Sequence, residues 1–490
     1  MAPDSSEMMR EPDTDMPQAQ TLQRKTETYA SHNDRFALDK KIYGQYFQLY
    51  YHRLMLLLPR LKLAVASKWP SSTLTKVLDL KEGEECVITG TLYKEMRLKP
   101  CVLDEYGKDL TLGVDLRREN TKKFTQDDDS LILEDEGARV RLVGKTVDPK
   151  LFVTGVVLAC KGKVVQDGEF EVTNVCFAEP APQKKTLGIS EKATSEKASG
   201  SSPQGTPSPG NYVVLVSGLR VGDVAVADPL QIELFLDYVT GNLGGDKDQA
   251  AAANILRVVI AGGALSEPEA AAKATGGAGQ SSGQTQHAAN ARAALRSLDQ
   301  ILTQLTSAVP VDLMPGAGDP TNQALPQQPL HPCLFPEAGR FKESTFHTTT
   351  NPHDFSVGSC EFLGTSGQNI DNLRQYTEVA SGAVGGTGGT GSESLALMSS
   401  TLRWQHVAPS APDTLACYPY KDRDPFYLQN TPNVYFCGNQ PEFGAQVVRV
   451  SESSDVKTLL VSVPNFATTG TIAMVNVDTL ECFPVVFKVA

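Results

Sequence analysis

The spacing of apolar residues changes several times along the chain, and each change predicts a new structural segment. Residues 1–33 show no periodicity and are predicted to be disordered. Apolar residues then recur at helical spacing between Ile42 and Leu61, so residues 34–80 are predicted to form an N-terminal helical segment. Pro59 falls inside this pattern and is expected to kink or split the helix, because proline has no amide donor.

Five aromatic residues cluster at the start of this helical pattern. Such a cluster either packs against the neighbouring domain or forms a docking stripe for a partner, and we favour packing. The residues are Tyr43, Tyr46, Phe47, Tyr50 and Tyr51.

From residue 81 to residue 182 the apolar positions alternate with polar ones, which is the period of a β-strand. The runs EECVITGTLY, ARVRLVGK, LFVTGVVLACKG and GEFEVTNVCFA read as strands, and Asp167 followed by Gly168 is a strong hairpin turn. About five short strands with glycine bends in roughly a hundred residues are typical of an OB-type barrel.

Three stretches lack the apolar surface that a packed core requires. Residues 183–210 are rich in Ser, Pro, Gly and Lys, and are predicted to be a flexible linker between domains. The low-complexity stretches 266–286 and 381–394 are predicted to be surface insertions.

The remaining residues, 211–490, predict a layered α/β domain, because strand-like runs alternate with a helical pattern in ANARAALRSLDQILTQL. The last fifty residues return to period two and are expected to finish the domain with antiparallel strands. The strand-like runs before them are 211–219, 230–241, 255–263, 309–316 and 433–439.

Composition narrows the functional class. Hydrophobic residues make up 40% of the chain and charged residues 21%, which is typical of a folded globular protein. The net charge of −12 argues against a protein that grips nucleic acid by its own charge. Residues 81–180 hold 15 Lys and Arg against 20 Asp and Glu, so the barrel is expected to bind protein rather than nucleic acid.

The nine cysteines are isolated from one another, with no CxxC spacing and no Cys/His cluster, so buried free thiols are expected rather than a zinc site or disulfides. No apolar run is long enough for a membrane span. The polar, acidic start of the chain does not resemble a signal or transit peptide, which leaves cytosol or nucleus as the expected compartment.

The segment from Val309 to Pro336 leaves an apolar strand, enters a Gly-rich turn and continues through a proline-rich stretch. A strand that feeds a tight turn at the carboxyl edge of a sheet is where α/β proteins place their chemistry.

Four stretches, PVDLMPG…DPTN…LPQQPLHPCLFP, FLGTSGQN, TLRWQHVAPSAPDTL and VYFCGNQPEFG, closely resemble the second, B-type subunits of the eukaryotic replicative DNA polymerases, in particular those of polymerase delta. The resemblance runs from about Asp34 to Ala490, apart from the insertions and the linker. It implies an α+β architecture in which an OB-type barrel packs on an inactive, calcineurin-like metallophosphoesterase domain, with an N-terminal helical segment.

The resemblance also implies a function and a set of partners. The phosphoesterase-like domain would hold the Cys-rich C-terminal domain of the polymerase delta catalytic subunit, and the barrel would dock a third subunit that leads to the sliding clamp. Contact with DNA would come only through the complex, the compartment would be the nucleus, and no cofactor would be needed.

Active members of the calcineurin-like class hold two metal ions with about seven ligands from five motifs, and these motifs can be placed on this sequence. Almost every position where the class has a ligand or a catalytic residue carries a residue that cannot replace it. The positions are Gly218, Arg220, Gly263, Ser266, Ala317, Gly318, Asp319, His406, Asn439 and Pro441.

Only two of these positions keep the residue type of the active class. Asp319 is the acid of the third motif, and His406 is the histidine of the fourth. One imidazole and one carboxylate cannot hold a pair of divalent ions, so both are expected to make structural hydrogen bonds.

Three alternatives remain open from the sequence. The first is an active metallophosphoesterase or exonuclease, and the second is an independent single-strand-binding OB protein. The third is a new metal site built from Asp354 with His331, His347 or His353, although no strand-end geometry supports it.

Overall fold

The structure is a computed structural model that describes nine stretches of the chain. They are residues 23–38, 44–99, 123–165, 167–184, 210–223, 225–266, 280–378, 392–451 and 456–488. Much of the sequence predicted to be disordered, linking or inserted falls outside the described residues, namely 1–22, 185–209, 267–279 and 381–391.

The described residues before the first helix are part of the fold, so the prediction of disorder is wrong for residues 23–33. Strand β1 (Tyr29–Ser31) pairs antiparallel with β11 (His353–Val357) at the edge of a sheet. Upstream of it, the Arg24 guanidinium donates to three backbone carbonyl oxygens at 2.8 to 3.1 Å. Backbone pairing and carbonyl capping hold this segment without an apolar periodicity, which is why the sequence pattern gave no sign of it.

Helix α1 (Tyr46–Lys68) is one continuous element, so Pro59 does not split it. Pro59 lies on the exposed side of the helix, where the carbonyl that loses its intrahelical partner can face water. The opposite side buries Leu57 and Leu61 against strands of the barrel, and this packing holds the helix together across the proline.

Five strands form a closed barrel in the order β2, β3, β4, β6, β5, which confirms the five-strand prediction. The predicted hairpin at Gly168 connects β5 to β6, and its positive φ of 75° suits glycine. The strands are β2 (Glu85–Glu95), β3 (Ser130–Glu134), β4 (Arg139–Val143), β5 (Val157–Val164) and β6 (Phe170–Cys176).

The other strands of the described residues, including β1, form two six-stranded sheets packed face to face. One sheet has the order β1, β11, β12, β13, β15, β14, and the other has the order β10, β9, β8, β7, β16, β17. The strands not yet defined are β7 (Tyr212–Val216), β8 (Ile255–Ala261), β9 (Val311–Met314), β10 (Phe346–Thr348), β12 (Cys360–Thr365), β13 (Val434–Gln440), β14 (Gly444–Arg449), β15 (Lys457–Pro464), β16 (Thr471–Asn476) and β17 (Cys482–Val486).

Helices cover the outer face of each sheet, which gives the layered α/β arrangement expected from the sequence. Apolar side chains such as Leu215, Phe362 and Val461 fill the space between the sheets. The helices are α2 (Pro229–Thr240), α3 (Asp246–Ala253), α4 (Gln280–Ala308), α5 (Gln368–Tyr376), α6 (Glu393–Arg403) and α7 (Phe466–Thr469).

The prediction of a strand at residues 230–241 is wrong, since α2 occupies this segment. The residues at the two ends of this segment favour a helix over a strand. The Asp228 carboxylate caps the helix by accepting from a backbone amide at 2.9 Å, and Gly241 closes it with a φ of 85°.

Two further expectations need correction. The insertion predicted at residues 266–286 is shorter, because α4 already begins at Gln280, and the one at 381–394 ends where α6 begins at Glu393. The final strands do not form one antiparallel unit either. β14 and β15 lie in one sheet and β16 and β17 in the other, and β15 pairs parallel with β13.

The barrel and the α/β domain share one hydrophobic core. Leu133 and Leu158 of the barrel belong to the same buried cluster as Leu373 of α5 and Leu402 of α6. The two domains therefore pack as a continuous unit through apolar contacts that neither would bury alone.

Candidate functional site

Most positions selected from the sequence meet at one edge of the sheet pair. Gly218 follows β7, Gly263 follows β8, and Asp319 lies in the turn after β9; these three strands are neighbours in one sheet. Asn439, near the end of β13 in the facing sheet, contacts the same region. Gly218, Gly263, Asp319 and Asn439 therefore lie together at the strand ends.

Asp319 joins two of the loops by accepting backbone amides. Its carboxylate accepts from Gly316 at 2.7 Å, from Gly263 at 2.9 Å and from Leu265 at 3.0 Å. Burial raises the pKa of Asp319, and these amide hydrogen bonds oppose the rise by favouring the charged form. Both carboxylate oxygens are thus engaged by the protein backbone, and neither is aimed at an open site.

Glycine backbone fills the space between the strand ends. A Cβ on Gly316 would lie 2.4 Å from the amide nitrogen of Gly263, and a Cβ on Gly263 would lie 3.1 Å from the Cα of Gly218. Gly218 and Gly263 also have positive φ angles of 65° and 67°. A carboxylate side chain at either glycine would require these loops to separate.

The Asn439 side chain occupies the remaining space. Its amide nitrogen donates to the carbonyl oxygens of Ser366 at 2.8 Å and Ala261 at 3.2 Å, and its own backbone amide donates to Ser217 Oγ at 2.8 Å. The residue has a φ of 55°, a conformation that asparagine adopts more readily than most residues. Asn439 therefore ties the two sheets together at the strand ends.

Arg220 and Ser266 belong to the structure of the surrounding loops. The Arg220 guanidinium turns back to the Asp223 carboxylate at 2.9 Å, and its amide donates to the carbonyl oxygen of Gly263 at 3.0 Å. The Ser266 amide donates to the carbonyl oxygen of Val221 at 3.2 Å. Of the other three positions, Gly318 is half-buried, while Ala317 and Pro441 are exposed.

His406 contacts Asp424 and Ala408 rather than the residues at the strand ends. It is buried, its Nε2 lies 2.9 Å from the Asp424 carboxylate, and its Nδ1 accepts the amide of Ala408 at 3.2 Å. Burial, reinforced by the positive charge of Arg53, lowers the pKa of His406 to about 4 even though Asp424 opposes the change. Its ring is thus neutral at pH 7, with the proton on Nε2 donated to Asp424.

Arg53 of α1 completes this cluster and links three parts of the chain. Its Nε donates to Asp424 at 2.8 Å, and its two Nη atoms donate to the carbonyl oxygens of Gly155 in the barrel and of Pro409 and Ala411. The pKa of Asp424 is held well below its usual range, against burial, by His406 and Arg53. The sequence prediction missed this arginine, because its partner Asp424 lies 371 positions away in the chain.

The alternative metal site does not form among the described residues. His353 Nε2 and His347 Nδ1 approach Asp312, at 3.3 and 3.5 Å, rather than Asp354. Asp354 pairs instead with Arg35 at 2.8 Å. In the part of the chain that the structure describes, no group of three or more His, Cys, Asp or Glu side chains could hold a metal ion.

Two family models match the chain. Residues 213–445 match the model of the B-type subunit of DNA polymerases alpha and epsilon, and residues 45–175 match the DNA polymerase delta subunit OB-fold domain. The second match agrees with the position of the barrel and its packing against α1.

Three relatives resemble the chain over nearly its whole length. The DNA polymerase delta small subunit of Arabidopsis thaliana is 41% identical over 95% of this chain and 97% of its own. DNA polymerase delta subunit 2 of Drosophila melanogaster is 35% identical, over 91% of this chain and 94% of its own. The small subunit of Saccharomyces cerevisiae is 31% identical, over 90% and 89%. The chain belongs to the DNA polymerase delta small-subunit family.

This small subunit is thus an accessory subunit of a replicative polymerase with an OB-fold domain. Cross-strand ion pairs neutralise the basic side chains on β4 and β5 of that domain, at distances of 3.4 to 3.9 Å. The pairs are Arg139–Glu134, Arg141–Glu169, Lys161–Glu85 and Lys163–Glu171. The barrel wall that these strands form therefore carries no excess of positive charge.

The eight cysteines within the described residues are free thiols, as expected from their spacing, and Cys333 is the exposed one. His331 contacts it, with Nδ1 at 2.9 Å from Sγ. No helix in the described stretches is both long enough and apolar enough to cross a membrane.

Proposed function

We propose that this small subunit is a non-catalytic scaffold of the DNA polymerase delta holoenzyme, built on a calcineurin-like phosphoesterase domain that has lost its metal site. One observation carries the proposal. The strand ends where such a domain would hold two metal ions are packed with glycine backbone around Gly218, Gly263 and Gly316, and the gap is filled by Asn439.

The residues that remain do not fit a metal pair. Asp319 directs both oxygens at backbone amides, and His406 is committed to Asp424. A two-metal site needs several anionic oxygens converging on one open cavity. We therefore derive no hydrolytic step for this subunit.

Its contribution to replication is to hold other subunits close together. We assign the Cys-rich C-terminal domain of the catalytic subunit to the α/β domain, and a third subunit that leads to the sliding clamp to the barrel. Tethering makes the second contact intramolecular and raises its effective concentration, provided that the scaffold keeps its shape.

Two buried charges support such a rigid scaffold. Arg53 connects α1, the barrel and the α/β domain. Lys94 of the barrel, itself buried, donates to the carbonyl oxygen of Tyr376 in α5 at 3.0 Å and lies 3.4 Å from the buried Asp129 carboxylate. Opening the junction would break the Arg53–Asp424 pair and the hydrogen bonds that Arg53 and Lys94 donate to carbonyl oxygens across it.

The proposal includes a nuclear location and contact with DNA only through the complex. The paired charges on the barrel and the net charge of −12 support weak intrinsic binding of DNA, because few counterions would be released.

A hydrolysis assay tests the proposed absence of phosphodiesterase activity. The purified chain is incubated with millimolar Mn²⁺ or Mg²⁺ and either single-stranded DNA or a phosphodiester dye, and no turnover above a buffer control is expected. Metal-dependent turnover that follows the protein through size exclusion, together with stoichiometric metal by elemental analysis, would overturn the proposal.

A further inference from the structure

An apolar stripe runs along the solvent side of α1. Phe47, Tyr51 and Leu63 are exposed to 67, 53 and 66% of their full area, and Pro59 between them is exposed as well. Met55, half-buried, completes a series at four-residue spacing. We call Phe47, Tyr51, Met55, Pro59 and Leu63 the α1 stripe. The expectation that the aromatic residues of this segment pack into the core is wrong for Tyr46, Phe47 and Tyr51, which are exposed, and Tyr43 lies outside the described residues.

The stripe has the form that a partner helix requires. Residues four apart are neighbours on a helix surface, but each step of four also turns by about 40° around the axis. The stripe therefore crosses the solvent side of α1 obliquely while it extends about 24 Å along the axis, at 1.5 Å per residue. The opposite face is fixed by the buried Arg53, Leu57 and Leu61. Neighbouring members of such an oblique apolar row can pack against the apolar face of an amphipathic helix that crosses α1.

The charged residues around the stripe favour an acidic partner. Helix α1 contains no Asp or Glu, although the whole chain has a net charge of −12. Lys62, exposed beside Leu63, has no ion pair with any described residue, and the exposed Lys421 lies at the other end, where its carbonyl oxygen contacts His52 at 3.0 Å. An acidic partner would neutralise both ends, while a second copy of α1 would bring like charges together.

Single-stranded nucleic acid fits the stripe less well. Base stacking requires aromatic faces with cations spaced along the backbone. Here the aromatic residues, Phe47 and Tyr51, occupy one end only, and the stripe continues with Met55, Pro59 and Leu63, which offer no ring for a base to stack on.

We propose that the α1 stripe docks an acidic amphipathic helix from another polypeptide of the complex. The inference rests on the scaffold function proposed above and adds a surface and a partner chemistry to it.

Site-specific photo-cross-linking of the holoenzyme tests this directly. The full chain is expressed with benzoylphenylalanine at position 51, at position 63 or at the control position Leu78, which is 70% exposed on a different segment. Cross-linked peptides are identified by mass spectrometry. Positions 51 and 63 should both reach one segment of another subunit, with apolar residues at helical spacing and an excess of Asp and Glu. The control position should not reach that segment.

A synthetic peptide of the cross-linked segment then gives the energetics. Replacing both Phe47 and Leu63 by Ser should weaken its binding at least tenfold, because exposed anchors of this kind carry most of the affinity. The charge reversal Lys62→Glu should weaken binding and flatten its dependence on salt. Leu78→Ser should leave binding unchanged.

Other occupants of the stripe would give different cross-linking results. Cross-links only to DNA, to residues of this chain, to a second copy, or to nothing at both positions would overturn the proposal. If such a result is accompanied by normal co-purification of the catalytic subunit, the scaffold function stands and only the docking site fails. Loss of the catalytic subunit from the unmodified chain would contradict the scaffold function itself.

Discussion

The Arg53 guanidinium and the Asp424 carboxylate form an ion pair of 2.8 Å from which solvent is excluded on both sides. The two residues lie 371 positions apart in the chain, and their pairing attaches α1 to the α/β domain. His406 shares the same carboxylate oxygen, so this histidine belongs to the same structural junction.

Removing the arginine should destabilise this junction strongly. In Arg53→Ala, the buried Asp424 would keep His406 and the backbone amide of Phe426 as partners but lose its cation, and breaking a buried pair in this way costs about 3 to 5 kcal/mol. Urea denaturation should show the loss as a lower midpoint. The control Arg139→Ala removes an exposed pair of 3.9 Å and should cost less than about 1 kcal/mol. Equal effects of the two changes would contradict the role assigned to Arg53.

The same junction should make stability depend on pH. The pKa of His406 is lowered to about 4 in the folded protein, against an ordinary value of 6.5. Between these values the unfolded chain binds the proton more strongly, so stability should fall as pH decreases from 6.5 to 4, by up to about 3 kcal/mol.

Denaturation midpoints between pH 4.5 and 7.5 measure this dependence. His406→Gln should remove most of the slope, whereas the exposed His331→Gln should leave it unchanged. An unaltered slope in His406→Gln would assign the effect to other groups.

Asp319 provides a test of the strand-end packing. Asp319→Ala would leave the buried amides of Leu265 and Gly316 and the half-buried amide of Gly263 without acceptors, at a cost of about 1 to 3 kcal/mol for each buried unsatisfied group. A total loss of several kcal/mol is expected in thermal or urea denaturation. Asp422→Ala, at an exposed carboxylate, is the control and should be nearly neutral. A neutral Asp319→Ala would show that the loops hold together without it.

Introducing a carboxylate at Gly263 should not create a metal-binding site. Gly263→Asp places a Cβ 2.6 Å from Asn439 Oδ1 at a residue with a φ of 67°, so it should destabilise the fold without creating affinity for Mn²⁺. Gly245→Asp is the matched control, because nothing lies within 4 Å of its Cβ and the position precedes a helix. Stable folding of Gly263→Asp with bound Mn²⁺ in calorimetry would contradict the packing argument.

The sequence predicted those features that depend on local pattern. Alternation of apolar residues identified the barrel strands, and a buried helical pattern identified α4. At residues 230–241 both periods fit the apolar residues, and the decisive signals were the flanking Asp228 and Gly241 rather than the pattern itself.

Features that depend on contacts between residues far apart in the chain could not be predicted from the sequence. Arg53 reads as a polar interruption of α1 until Asp424 is brought to it, and β1 exists only because β11 offers it an edge. The mutual packing of Gly218, Gly263 and Asn439 likewise depends on backbone geometry that the sequence does not show.

The central claim, that this subunit acts by holding the catalytic subunit rather than by chemistry, is tested most directly by a melting titration. The full chain is melted at increasing concentrations of the C-terminal domain of the polymerase delta catalytic subunit. A partner that binds only the folded state should stabilise it by about 2.7 kcal/mol at a hundredfold excess over Kd, so the melting temperature should rise steadily with concentration. A melting temperature that does not change at any concentration would contradict the account.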